Sequence, residues 1–214
     1  MPRSPRLLAP LALAVLSVLS APGPATACMN GVERRVDPTN QRIRDAEALL
    51  ADGKYKAAVR EVLEAFPTAL RADYRDHRTN LFDRGQRVIA LAVVRTKGEL
   101  KLDRTLQGTT YAERDAGLAW ATMILRLHRA RGNGGVLLTS ELAEALALRP
   151  SERPAARLLL KELADGDIMP TARGWAILGM LERDHGDADA AARAVARCKE
   201  ISPDATQCDI VGNT

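Results

Sequence analysis

Histidine and cysteine are the residue types of this chain most able to do chemistry, and each occurs three times among 214 residues. His77, His128 and His185 lie far apart and form no His-Glu-x-x-His pair, so the sequence contains no zinc-ligand spacing. We interpret them as solvated surface residues, because His185 lies in a turn and His128 stands beside Arg126 and Arg129 on a face expected to be exposed. No metal site is predicted.

Two further stretches have residue types that bind ligands in other proteins. Residues 131–135, Arg-Gly-Asn-Gly-Gly, lack the Gly-Lys-Ser/Thr of a phosphate loop and follow a predicted helix, so we interpret them as a helix C-terminal turn. The mixed charges of residues 73–78 indicate a solvated connection, with a recognition strip as the alternative. Neither stretch predicts catalysis, so we expect a non-enzyme that needs no cofactor.

The first 27 residues have the pattern of a secretory signal peptide. Basic Met1–Arg6 precedes the apolar run Leu7–Leu19, and Ala25-Thr26-Ala27 is a small-residue cleavage site. Cleavage there would leave Cys28 at the new N-terminus, followed by a leader at 28–38. We expect export to the periplasm or cell envelope. The alternative is an outer-membrane lipoprotein lipidated at Cys28, although the residues before this cysteine differ from the usual lipoprotein motif.

The other two cysteines are close in sequence near the end of the chain. Cys198 ends the last predicted helix, and Cys208 follows a Ser-Pro turn that can fold the tail, residues 206–214, back onto it. Two cysteines ten residues apart in an exported protein predict a disulfide. Cys28 is then left for lipid, for another molecule, or as a free thiol.

Composition predicts an all-α domain at residues 39–205. Only seven residues are aromatic, whereas alanine, leucine and arginine are abundant, which favours helix packed on helix. Without the signal peptide the net charge is only about +2, so we expect no nucleic-acid partner. Helical periodicity is found over residues 41–50, 80–96, 113–131, 138–148, 152–164, 171–184 and 187–199, and a further helix follows the turn at 52–55. Thr39 and Ser151 are the expected N-caps of two of these helices.

The last two predicted helices have residues at the spacing of a tetratricopeptide repeat, and this stretch resembles that family. The residues that carry the resemblance are Trp175, Leu178, Gly179, Gly186, Ala191 and Pro203. Glu182 and Val195 stand where the family usually has aromatic residues. Small residues at 179 and 191 would let two helices cross closely.

A second, partial unit occurs near residue 50, where Ala46, Gly53, Tyr55 and Ala58 resemble the centre of the same repeat. Arg42 takes the place of its opening tryptophan. Gly53 and Gly186 are 133 residues apart, close to four steps of about 34 residues. We therefore expect room for three further helix pairs between the two units.

The resemblance implies a right-handed α-solenoid of about eight helices that binds a protein or peptide in its concave groove. The residues it places in that groove are Arg173, Ile177, Met180 and Arg183, and two arginines would suit a partner with carboxylates. We expect a non-catalytic adaptor or scaffold of the bacterial envelope, which would contact a membrane only if Cys28 is lipidated. The alternatives are a lipoprotein with a structural or assembly role and an accessory subunit of an envelope enzyme.

Overall fold

A computed structural model describes residues 37–71, 79–100, 111–132, 135–202 and 208. Within these ranges every regular element is helical, so the all-α prediction and the expected number of about eight helices are confirmed there. The α-helices are α1 Pro38–Ala51, α2 Tyr55–Ala65, α3 Thr79–Arg95, α4 Tyr111–Ala130, α5 Gly135–Ala147, α6 Arg153–Asp165, α7 Ala172–His185 and α8 Ala188–Ile201. The predicted signal peptide, Cys28, the leader up to residue 36, the charged strip at 73–78 and Pro203 lie outside the described residues. The last two leader residues, Asp37 and Pro38, belong to the start of α1.

Two predicted N-caps are wrong. Asp37 caps α1 by accepting a hydrogen bond from Thr39 N at 2.9 Å, because Pro38 occupies the first helical position and shifts the start of the helix. Ser151 does not cap α6, since Pro150–Glu152 forms a 3₁₀ turn and Glu152 precedes the helix without a side-chain capping bond. Local residue types indicated each helix correctly but placed its first residue wrongly.

The helices pack as successive pairs, with a second set of contacts between alternate helices. Neighbouring helices contact one another from α1 to α8, and α1 also contacts α3, α3 contacts α5, and α5 contacts α7. Between α2 and α7 the described chain forms two helix pairs, α3–α4 and α5–α6. The described residues thus form two of the three pairs for which the spacing leaves room, and residues 101–110, between α3 and α4, lie outside the described part of the chain.

The core consists mainly of leucine, valine, isoleucine and alanine, as the composition predicted, with a few aromatic rings. Phe66 and Phe82 meet edge to face with ring centroids 5.4 Å apart. Trp175 is buried on α7, and Gly179 lies where α7 crosses α8. A Cβ at Gly179 would come within 3.3 Å of the Ala191 carbonyl oxygen, so the absence of a side chain permits this crossing.

The predicted disulfide is present. Cys198 on α8 and Cys208 are bonded with their Cα atoms 5.8 Å apart, and both are buried. The bond fixes one point of the tail against the core at the end of the last helix.

Candidate functional site

Helix α5 buries three polar side chains on a face that packs against other helices. Ser140, Glu141 and Glu144 are almost entirely removed from solvent. A buried carboxylate is costly unless a positive partner and hydrogen bonds compensate it, so each of these glutamates needs an arginine close by. Helices α3 and α7, which flank α5, supply those arginines.

Glu141 is held by Arg87 of α3 through two bonds. Arg87 Nε donates to Glu141 Oε2 at 2.6 Å, and Arg87 Nη2 donates to Glu141 Oε1. This forked geometry is the strong form of the arginine–carboxylate pair. The hydrogen bonds that Arg87 donates to Glu141 raise the pKa of Arg87, against a smaller opposing effect of burial.

Glu144, one helical turn further on, is shared between two arginines. Arg95 Nε of α3 lies 3.5 Å from Glu144 Oε1, and Arg173 Nε of α7 contacts the same oxygen. These are ion pairs by distance, but neither has the angles of a hydrogen bond, and all three atoms are buried. In the Glu144–Arg95–Arg173 cluster, two positive charges therefore face one negative charge, and the two Nε atoms and Glu144 Oε1 make no hydrogen bond with normal geometry.

Close packing of α7 on α5 brings Arg173 to Glu144. Thr171 caps α7 by accepting a hydrogen bond from Gly174 N at 3.0 Å, and its hydroxyl lies 3.4 Å from Ser140 Oγ. A Cβ at Gly174 would stand 2.7 Å from both Ser140 Oγ and Met169 Sδ, so a larger residue here would force these two side chains to move. Because Arg173 is next to Gly174 and Glu144 is one helical turn after Ser140, this contact between the helices also brings Arg173 to Glu144.

A cavity of about 310 Å³ opens beside this cluster. Its polar walls are formed by α3, α5 and the start of α7, and its apolar wall is formed by the end of α1 and the start of α2. Among the lining residues are Leu50, Tyr55, Arg95, Ser140, Glu144 and Arg173. The arrangement can present cationic donors and hydroxyl groups to a small anion while shielding it from bulk water.

The four residues predicted to face a groove have different environments. Arg173 lines the cavity and pairs with Glu144. Ile177 and Met180 are buried in the core, so little of either side chain is left for a partner to touch. Arg183 is exposed near the end of α7.

The residues that resemble the repeat family are divided between core and turns. Ala46, Ala58, Trp175, Leu178 and Ala191 are buried, and Tyr55 is partly buried against the core. Gly53 and Gly186 take positive φ angles of 74° and 91° in the turns of their helix pairs. Glu182, at a position usually aromatic in the family, is buried and accepts two hydrogen bonds from Arg157, at 3.0 and 2.7 Å.

A second buried polar cluster corrects the prediction for His128. The imidazole is buried between α3 and α4, because α4 turns this position towards Gln86 and away from solvent. Gln86 Nε2 donates to the carbonyls of Ala69 and Arg71 at 3.0 and 3.3 Å, so Gln86 Oε1 must accept from His128 Nε2, 3.2 Å away. The neutral imidazole therefore carries its proton on Nε2.

Charges around His128 have opposing effects on its protonation. Burial lowers the pKa of His128, the nearby Asp83 raises it, and Arg131 and Arg87 lower it further, with a net downward shift. Arg131 is also bonded to Asp83 at 3.2 Å. The cluster joins α3, α4 and the chain after α2, and we assign it a structural role. His185 is exposed, as predicted, and His77 lies outside the described residues.

Sequence reasoning missed Arg95, Glu141 and Glu144. The signal available was two acidic residues three apart in the most apolar of the helices, on a face that hydrophobic neighbours require to be buried.

Within the described ranges no group of three or more potential metal ligands is found. The described helices include none that is long and apolar enough to cross a membrane.

Compared with protein-family models, with curated proteins and with solved structures, the chain matches none of them. The likeness to tetratricopeptide repeats therefore depends on the residues of the two helix pairs, α1–α2 and α7–α8.

Proposed function

We propose that this protein is a non-catalytic adaptor of the bacterial cell envelope that binds a protein or peptide partner. In this proposal the helix pairs form a tetratricopeptide-like solenoid, and α1, α3, α5 and α7 build the groove. The observation that carries it is the series of contacts between these alternate helices. In helical solenoids the first helices of successive pairs contact one another in this way and line the concave surface.

The charges on these helices favour a partner with acidic groups. Over the full length of α1, α3, α5 and α7, seven arginines balance seven acidic residues, but Arg95 and Arg173 share the single carboxylate of Glu144, which leaves a local excess of one positive charge. Among these arginines, Arg183 is exposed on α7. An acidic partner would be attracted to this surface, and the attraction would be sensitive to salt.

The test compares two variants that each lose two positive charges. Arg173→Gln with Arg183→Gln changes the alternate helices, and Arg126→Gln with Arg193→Gln changes exposed positions of α4 and α8 as a matched control. After crosslinking in the native envelope, we expect the first variant to lose a partner that the parent protein and the control retain. Equal capture by both variants, with unchanged circular dichroism, would contradict the proposed groove.

Cys28 supports a second candidate, an envelope lipoprotein. The bond between Cys198 and Cys208 leaves Cys28 as the odd cysteine, directly after the predicted cleavage site. Mass spectrometry of the N-terminal peptide separates the two cases. An unmodified Cys28 supports an adaptor free in the periplasm, and an acylated Cys28 supports anchoring of the same helical domain at a membrane.

A further inference from the structure

We propose that the cavity beside the Glu144–Arg95–Arg173 cluster binds a small organic monocarboxylate. This inference is independent of the proposed adaptor function, because the acid would bind to the isolated protein and no protein partner is needed. It is carried by the charge of the cavity wall, by donors without hydrogen bonds, and by the size and lining of the cavity.

The cavity wall and Arg87 behind it together carry one positive charge in excess, because Glu141 and Glu144 line the cavity with Arg95 and Arg173. Arg87 and Glu141 form a complete bidentate pair that cancels its own charge. Arg95 and Arg173 share the single carboxylate of Glu144, so two positive charges face one negative charge. Partly buried charges of this kind are poorly screened by water, and one added carboxylate would restore neutrality.

The same two arginines have N–H donors that are not used in hydrogen bonds with described residues. Neither Arg95 nor Arg173 makes a hydrogen bond that meets normal geometry with a described residue, and the Nε atoms of both are buried. A guanidinium has five N–H donors in a fixed plane, a shape that matches a carboxylate. The two side chains keep 22% and 33% of their surface exposed, and both residues line the cavity.

The remaining wall indicates a short ligand with a polar group and a small apolar part. The hydroxyls of Ser140 and Thr171 lie on one side, and Leu50, Ala51 and Tyr55 lie on another. At about 310 Å³ the cavity has the smallest size usual for small-molecule sites, which range from about 300 to 1,000 Å³. An acylated amino acid or a hydroxy acid of similar size fits these dimensions.

The competing explanation is that the cluster only joins α3, α5 and α7. In that case Glu144 already satisfies both arginines, and added carboxylates would have no effect. The two explanations predict different effects of neutralising Glu144 on the binding of an anion. If Glu144 competes with the ligand for the arginines, then neutralising Glu144 should strengthen binding of an anion, whereas a purely structural cluster gives no binding to strengthen.

The experiment is isothermal titration of the full chain with N-acetylglycine and, as an uncharged analogue, N-acetylglycinamide. We expect only the acid to bind, with Arg173→Gln weakening it by about tenfold, Arg173→Lys weakening it less, and Glu144→Gln strengthening it. Arg84→Gln is the matched control, because Arg84 pairs with Glu47 on the alternate helices but does not line the cavity. It should leave binding unchanged.

A measurement on the unaltered protein covers the case in which a variant fails to fold. In ¹⁵N-labelled protein, N-acetylglycine should shift the Nε–Hε resonances of Arg95 and Arg173 and leave that of Arg84 in place. Absence of binding and of shifts would overturn the proposal. Equal binding of the amide, tighter binding of triglycine, or equal weakening by Arg84→Gln would also overturn it, because each contradicts a small site selective for a carboxylate at these two arginines.

Discussion

At the scale of single residues, the common feature is a buried carboxylate held by an arginine from a neighbouring helix. Glu141, Glu144 and Glu182 are all buried, and their arginines come from α3, α7 and α6. A buried ion pair contributes little net stability, but loss of one partner leaves an uncompensated charge. We therefore expect these pairs to favour one arrangement of the helices over others, while adding little to the free energy of unfolding.

The Arg157–Glu182 pair allows a direct test. Arg157→Leu alone should lower the free energy of unfolding by about 3 kcal/mol, because Glu182 would stay buried without its partner. Arg157→Leu combined with Glu182→Leu should recover most of that loss, since the charge is then removed. Urea denaturation of the two variants measures both values. If the double variant were the less stable, the pair would be strongly favourable and this account would be wrong.

His128 should make stability depend on pH. Its pKa in the folded protein is lowered, so the unfolded chain takes up a proton first, near its ordinary pKa of about 6.5. The stability that comes from this shift is complete above that pH and is lost as pH falls towards the lower folded value. His128→Asn should flatten that part of the melting-temperature profile between about pH 7 and pH 5. A parallel profile in the variant would exclude His128 as the source.

At the scale of elements, the last helix pair shows how packing depends on one large and one very small residue. Trp175 fills the space beside α8, with Arg197 of α8 5.6 Å above its ring, and Gly179 lets the two helices cross. The indole nitrogen is buried and has no hydrogen-bond partner among the described residues, so Trp175 stabilises the pair through its buried area and its contact with Arg197.

Trp175→Ala should therefore lower the free energy of unfolding by about 3–5 kcal/mol through loss of buried area and formation of a cavity. Leu158→Ala on α6 is a suitable control, because Leu158 is 65% exposed and its truncation should cost little. Thermal melts of both variants provide the comparison. Similar melting temperatures would mean that α7 and α8 do not depend on this contact.

The disulfide stabilises the end of the last helix. The loop between Cys198 and Cys208 is short, so Cys208→Ser should reduce stability by about 2–3 kcal/mol and leave the helices in place. Circular dichroism and a melting curve, with thiol counting on the unreduced parent protein, measure this. Three free thiols in the parent would show that the bond does not form.

At the scale of the whole domain, stability should be greatest in the middle of the helix series. Helix α5 contacts α3, α4, α6 and α7, whereas α8 packs chiefly on α7. Assemblies whose units contact mainly their neighbours open from their ends. We expect backbone amides of α5 to exchange with deuterium at least about tenfold more slowly than those of α2 and α8. Uniform exchange rates would instead indicate a single cooperative unit.

The sequence by itself determined the elements of this protein. Apolar residues three and four apart predicted where each described helix occurs, and turn glycines such as Gly186 marked where helices end, because both signals depend only on nearby residues. The cysteine spacing near the end of the chain was equally local, and the predicted bond is present. Helix starts at Asp37 and Glu152 were missed because neighbouring prolines moved the first turn.

Only the tertiary structure decided which charged residues are buried and what they face. Glu144 and Arg95 are far apart in sequence, and no periodic pattern indicates that α7 then adds Arg173 to the same oxygen. His128 was expected in solvent because its neighbours in sequence are arginines, but α3 covers it. The rotation of each helix about its axis and the approach of its partners depend on side-chain packing across the whole domain, which local sequence does not encode.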